Sequence, residues 1–161
     1  MADDSLRIRP MALDDCDRVS EIRVLGWQYA YRGLMPQPFL DGLSVERDAE
    51  RRRARFRGGE DGVTDLVAER GGEIVGWAAH GPYRDGEVHT GDAELYAVYL
   101  GPAHVGTGAG RRLLETVLKQ CARRFYEVAG FRPDGAEEPY EVDGVPVPEV
   151  RYVKDHGLTS V

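Results

Sequence analysis

The stretch from Glu94 to Arg112, E-L-Y-A-V-Y-L-G-P-A-H-V-G-T-G-A-G-R-R, constrains this chain more than any other. It opens as an apolar strand and breaks at Gly101-Pro102. It then passes through Gly106, Gly108 and Gly110 and continues into Arg111-Arg112-Leu113-Leu114. A strand, a glycine-rich turn and a helix N-terminus in that order make an anion cradle. Glycines let several backbone N–H groups turn toward one guest. The first helical turn adds unpaired donors and the positive end of its dipole. A phosphate is the usual guest. A dinucleotide fingerprint needs G-x-G-x-x-G, and its third glycine position falls on Arg111. A P-loop needs Gly-Lys-Ser/Thr at its end, and none follows.

Composition bounds the rest. At 161 residues, with 42% hydrophobic and 30% charged residues, the chain suits a single globular domain with its own core. There is no apolar run of membrane-spanning length and no signal-peptide pattern at Met1-Ala2-Asp3-Asp4. Cys16 and Cys121 make no framework and no C-x-x-C, which favours a cytoplasmic location. A formal charge of −7 argues against generic nucleic-acid binding.

Leu6 to Arg9 alternates and stops at Pro10, as a short strand does. Asp14 and Asp15 open a helix whose spaced positions are Val19, Ile22, Arg23, Leu25, Gly26 and Tyr29. Trp27, Tyr29 and Tyr31 cluster near its end, and Gly33 and Pro36 mark its exit. Ser44 is the N-cap of a second helix rich in arginine: Arg47, Arg51, Arg52, Arg53, Arg55 and Arg57. That run reads either as an anion-binding patch or, more commonly, as a solvated face with Glu46 and Glu50 as i,i+4 partners. Thr64–Glu69 and Glu73–Tyr83 read as a hairpin joined at Arg70-Gly71-Gly72. Ala93 to Leu100 is the strand of the opening stretch. From Gly110, Leu113, Leu114, Val117, Leu118, Cys121, Phe125 and Val128 follow helical spacing, with Gly130 as a C-cap. Glu137 to Glu141 reads as an acidic loop, residues 142–145 as a turn, and Val147 to Val153 as a final strand. The order βααβββα…αββ predicts an α/β (α+β) domain over residues 1–161, with a mixed, mostly antiparallel sheet flanked by helices.

Several of these segments carry a family resemblance. Val105-Gly106-Thr107-Gly108-Ala109-Gly110 resembles motif A of the GNAT superfamily of N-acetyltransferases, Q/R-x-x-G-x-G/A, with Val105 in place of the first side chain. Glu73-Ile74-Val75-Gly76-Trp77 is similar to the x-I-V-G hairpin formed by the family's second and third strands. Ala122-Arg123-Arg124-Phe125-Tyr126-Glu127-Val128-Ala129-Gly130-Phe131 closely resembles its motif B helix, A-x-x-F-Y-x-x-x-G-F. The matches span nearly the whole chain. One departure stands out. The family places a fifth strand between the helices of motifs A and B, but here Lys119-Gln120 runs directly into Cys121-Ala122. Such a strand with its loops takes roughly 15–25 residues. Three readings stay open: a segment absent from this sequence, a natural deletion repaired by exchange between two copies, or a degenerate member. The intact patterns on either side favour the first, and predict two separate elements within residues 109–129.

The resemblance implies acetyl-CoA as co-substrate, no metal, and direct transfer to a primary amine of a small molecule or a peptide N-terminus. It implies that N–H groups near Val98 and Leu100 polarise the thioester carbonyl. It implies that Val105, Gly106, Thr107, Gly108, Ala109, Gly110 and Arg111 take the pyrophosphate. Glu94, fourteen residues before Gly108, matches the offset of a general base, and a carboxylate in an apolar strand suits that role near neutrality. The other reading of Glu94 is a solvated or ion-paired strand end. Tyr126 aligns with the tyrosine that protonates the departing thiolate; its other reading is core packing beside Phe125. Trp27, Tyr29 and Tyr31 sit where the family lines its acceptor site, although core packing is the commoner use of such a cluster. His104 is a solvated loop residue or a phosphate contact, and His80 and His89 lack metal-ligand spacing. Neither cysteine has a convincing triad. The rivals are a non-catalytic acyl-CoA-binding or sensor domain and a nucleotide-binding module. A membrane or nucleic-acid partner is not expected, and homodimer formation is left open.

Overall fold

The computed structural model describes residues 5–59, 62–83, 93–128, 130, 132–142 and 145–153; the side chains at 125, 126, 128, 134 and 136–152 lie outside that description. The strands are β1 (Leu6–Pro10), β2 (Thr64–Arg70), β3 (Glu73–Pro82), β4 (Ala93–Leu100), β5 (Arg132–Val142) and β6 (Val145–Val153). The helices are α1 (Cys16–Ala30), α2 (Gln37–Asp41), α3 (Val45–Arg57) and α4 (Ala109–Val128), with single 3-10 turns over Leu13–Asp15 and Pro102–His104. The chain divides into two compact units, residues 1–118 and 119–161.

The first unit holds a four-stranded antiparallel sheet in the order β1-β2-β3-β4. Its central hairpin follows from two glycines. Gly71 and Gly72 take φ of 58° and 82°, so a two-residue primed turn connects the Arg70–Glu73 pair. Pro10 ends β1 on the outer edge of the sheet, where a missing N–H costs no ladder bond.

One sheet face carries Val67, Trp77 and Ala79, and α1 closes on it with Cys16, Val19 and Ile22, all fully buried. The helical spacing expected for α1 holds for Val19 and Ile22. Leu25 (39% exposed) instead points outward, turned away from that stripe, and Tyr29 (74%), in the last turn of the helix, is exposed as well. Ser44 caps α3 as expected, accepting the Arg47 N–H at 3.3 Å. On the opposite face, Leu66 and Ala78 are buried, and α4 contributes Ala109, Leu113 and Val117. A Cβ on Gly76 would stand 3.2 Å from Leu113 Cδ1.

Two expectations are corrected. Residues 109–128 form one uninterrupted helix of 20 residues, not two elements. No proline or glycine lies between Arg111 and Val128, and the apolar positions keep one helical phase across Lys119-Gln120. Gly130, at φ 84°, does stop the helix, its N–H bonding the Glu127 carbonyl at 3.0 Å. The acidic stretch Glu137–Glu141, read as a loop, is strand: in the second unit β5 pairs antiparallel with β6 from Arg132↔Val153 to Val142↔Val145. Prolines on both strands meet at Pro139↔Pro148, a pairing that local propensity argues against.

Candidate active site

The turn after β4 has the geometry its glycines demand. Gly106 and Gly108 take φ of 80° and 88°, where only glycine is at ease. A Cβ at either would meet nothing within 4 Å, so conformation and not space requires them. Gly110 differs: its Cβ would come 3.3 Å from Leu100 Cδ1, so it serves close approach of helix to strand. The Thr107 hydroxyl and N–H both donate to the His104 carbonyl, at 2.7 and 3.3 Å, and Arg70 donates to the Thr107 carbonyl at 3.3 Å. The Arg112 N–H donates to the Gly108 carbonyl at 3.1 Å, making Gly108 the residue on which α4 opens. Ala109, Gly110 and Arg111 therefore lack intrahelical acceptors for their N–H groups. Ala109 is buried, Arg111 is exposed, and Val105 is 65% exposed. The seven residues expected to hold the anion thus run from the turn after β4 into the first turn of α4.

Within the four-stranded sheet β4 is the edge strand opposite β1. The Gly101 N–H donates to the Val75 carbonyl at 2.9 Å. Alternation then directs the backbone groups of Tyr99 and Ala97 toward β3, and those of Val98 and Leu100 toward the open edge. The β3 register skips from Ala79↔Ala97 to His80↔Leu95, so Tyr96 is an extra, bulged residue. Its hydroxyl donates to the Pro82 carbonyl. The bulge also sets the side of Glu94. Trp77, Ala79 and Gly81 share one face of β3, and Glu94 pairs with Gly81. Glu94 consequently shares the α1 face with Tyr99, and it is only partly buried.

The predicted aromatic trio divides. Trp27 and Tyr31, four residues apart on one helix face, stand 4.9 Å between centroids. Tyr29 lies across the helix in solvent and joins neither. In its place the fold brings Tyr99, whose ring stacks on Trp77 at 6.0 Å. Burial, and next the neighbouring Tyr31 phenol, push the Tyr99 phenol above its usual range. The Trp27 indole N–H is buried and has no hydrogen-bond partner among the described residues. The Arg23 guanidinium sits 5.2 Å above the Trp27 ring.

Beside this cluster α1, α3, β3 and β4 border an open recess of about 370 Å³. Arg23, Arg51, Arg52 and Arg55 line it with Asp48, over a floor of Trp77, Ala79 and Tyr96. Arg52 is 8% exposed, stacks 4.3 Å over Trp77, and bonds Asp48 at 3.2 Å and Ser20 at 3.4 Å. Burial pushes its guanidinium below the usual arginine value, against the pull of Asp48 and Asp65. Asp65, also buried, takes the Trp77 indole N–H at 2.8 Å and an ion pair from Arg55. Three of the six arginines of that run therefore line the recess, Arg52 buried, Arg55 half-buried and Arg51 exposed. Arg51, Arg52 and Arg55 repeat at i, i+1 and i+4, which gathers them on one side of α3. That spacing was readable, but which face α3 buries was not.

The Tyr126 side chain, and residue His89, lie outside the described residues. His80 is buried and Cys16 fully so, with burial raising the thiol pKa; Cys121 is half-buried and likewise raised by burial. Among the described residues no group of His, Cys, Asp and Glu could hold a metal, and no helix is long and apolar enough to cross a membrane.

Comparison with known proteins bears on this geometry. Residues 27–132 match the family described as the acetyltransferase (GNAT) family. An uncharacterized N-acetyltransferase of Bacillus subtilis, YuaI, is 29% identical over 107 residues. The L-amino acid N-acyltransferase MnaT of Escherichia coli is 37% identical over 110. Each alignment covers 66% of this chain, which spans 59% and 58% of those relatives' lengths. The crystal structure of the PaiA N-acetyltransferase of Thermoplasma acidophilum, in complex with coenzyme A, shares the fold. Its TM-score is 0.59 at 17% identity, covering 82% of this chain and 92% of that one.

Proposed function

This chain belongs to the acetyltransferase (GNAT) family, and on that premise we propose that it transfers an acetyl group from acetyl-CoA to a primary amine of a small molecule or a peptide N-terminus. One observation carries the reading. The outward N–H groups of an edge strand, at Val98 and Leu100, lead through Gly101 into a positive-φ glycine turn and a helix N-terminus. A ligand with a carbonyl at one end and a pyrophosphate at the other fits that donor set. Acetyl-CoA supplies an activated thioester when bound.

The chain's own residues then divide the work. The Val98 and Leu100 N–H groups hold the carbonyl oxygen as charge develops there. The N–H groups from Gly106 to Arg111 hold the pyrophosphate, with Arg111 adding charge. Glu94 takes the proton from the attacking amine. Tyr126 returns a proton to the departing sulfur, a role resting on its place in the motif B resemblance. Trp27 and Tyr31 wall the acceptor side; Tyr29, in solvent, does not. The cytoplasm is the compartment proposed. The N-acyltransferase names of the relatives support the reaction class.

A second reading, a non-catalytic acyl-CoA-binding domain, is favoured by one observation. Helix α4 runs through the position where the family inserts a fifth strand, leaving β4 at the edge of its sheet. Free-thiol release from acetyl-CoA with a panel of amines separates the two. Turnover on any amine supports the transferase. A thermal shift with acetyl-CoA but none with ATP or NAD, and no turnover on the panel, supports the binding domain.

A further inference from the structure

We propose that the arginine-lined recess between α1 and α3 is the subsite for an anionic group on the acceptor, so that the preferred acceptor is an amine that also carries a carboxylate. The inference rests on the transferase reading and adds the chemistry of its second substrate.

Charge imbalance carries it. Arg23, Arg51 and Arg52 converge on one carboxylate, Asp48, at 2.8, 3.7 and 3.2 Å. Asp65 stands 3.8 Å from Arg52, but it also receives Arg55 and the Trp77 indole. A single carboxylate offers about four lone-pair sites and one negative charge. Among the described residues, three guanidiniums around it leave net positive charge and N–H groups not taken up by that carboxylate beside the recess. Arg51 is the clearest case, its side chain 76% exposed and its separation from Asp48 long for a hydrogen bond. Planar forks of this kind match a carboxylate bidentately. The volume of about 370 Å³ is room for roughly a dozen waters' worth of ligand.

Position makes the recess part of the reaction. Ala79 and Trp77 floor it, and Glu94 pairs with Gly81, the next residue of β3 on that face. Two residues of strand separate the recess floor from the Glu94 partner, about 7 Å. An amine at Glu94 therefore places a group several bonds away within reach of Arg51 and Arg23.

The test compares matched acceptors with the full chain and acetyl-CoA: β-alanine against β-alaninamide, and 2-aminoethyl phosphate against ethanolamine. Each anionic member should be preferred over its neutral match by at least about tenfold in kcat/KM. Which anion gives the larger ratio tells carboxylate from phosphate. Arg51→Gln, at an exposed position where folding is not at risk, should cut the acid-to-amide ratio by on the order of tenfold. Equal use of acid and amide, or a ratio untouched by both Arg51→Gln and Arg23→Gln, overturns the proposal. If no amine turns over, calorimetry with glutarate decides it. Binding weakened by Arg51→Gln upholds the anion site while the transferase reading fails; no binding overturns the site too.

Discussion

A Cβ on Gly26 of α1 would stand 2.7 Å from Cδ1 of Tyr99 on β4. This glycine lets α1 lie against the strand that carries the site. Gly26→Ala sets two effects against each other. Removing glycine from a helix interior gains up to about 1 kcal/mol. Forcing a methyl into the Tyr99 ring costs about 1–3 kcal/mol, because the ring is held between α1 and the Trp77 stack. The net expectation is destabilisation by about 1 kcal/mol in urea unfolding. A stabilised variant would mean that the contact is loose.

Arg9, Asp15 and Glu69 tie β1 to β2 and to the start of α1. Arg9 bonds Asp15 at 2.7 and 3.1 Å and Glu69 at 2.8 Å, and the Ala12 N–H adds a bond to Asp15 at 2.7 Å. The Arg9 bond, helped by that N–H and opposed by burial, holds the Asp15 carboxyl below its usual range. A depressed folded-state pKa gives stability that is present above the unfolded value. That stability is lost as pH falls through the folded one. Asp15→Asn should therefore cost about 2–3 kcal/mol near pH 7. Its deficit against the parent should shrink progressively below about pH 4. Urea midpoints across pH 2–8, a range chosen to bracket roughly both values, provide the check.

Gly108→Ala separates conformational strain from crowding. Nothing lies within 4 Å of the added methyl, so the cost is that of φ 88° in an L-residue, about 1–2 kcal/mol. The turn relaxes to avoid it and its N–H groups lose their common aim. The expected result is a KM for acetyl-CoA raised by on the order of tenfold, with Tm lowered by only a few degrees. An unchanged KM would remove this turn from the cofactor site.

Glu94→Gln keeps the side-chain volume and removes the base. A drop in kcat on the order of 10²-fold, with KM for acetyl-CoA little changed, is the expected outcome. Full activity at every pH would leave Glu94 as a strand-end carboxylate.

How much was legible follows the range of the interactions. The turns were readable because their requirements are local: Gly106 and Gly108 take positive φ, and Gly71-Gly72 makes a primed turn. The helix from Ala109 was also written locally, in an unbroken periodicity without glycine or proline, and the family pattern argued wrongly against it at Gln120-Cys121. The β5–β6 pairing was missed because acids and prolines disfavour strand, while pairing with a partner strand supplies what propensity lacks.

The sequence by itself determined the glycine turns and the N-cap of α3, since each depends on residues within one turn of one another. Only the tertiary structure decided which side chains meet. Helix phase sent Tyr29 to solvent and kept Trp27 with Tyr31. The bulge at Tyr96 set Glu94 on the α1 face, a choice a one-residue shift would reverse. The packing of α3 over Trp77 gathered Arg51, Arg52 and Arg55 around a recess with Arg23, from an element some thirty residues earlier in sequence.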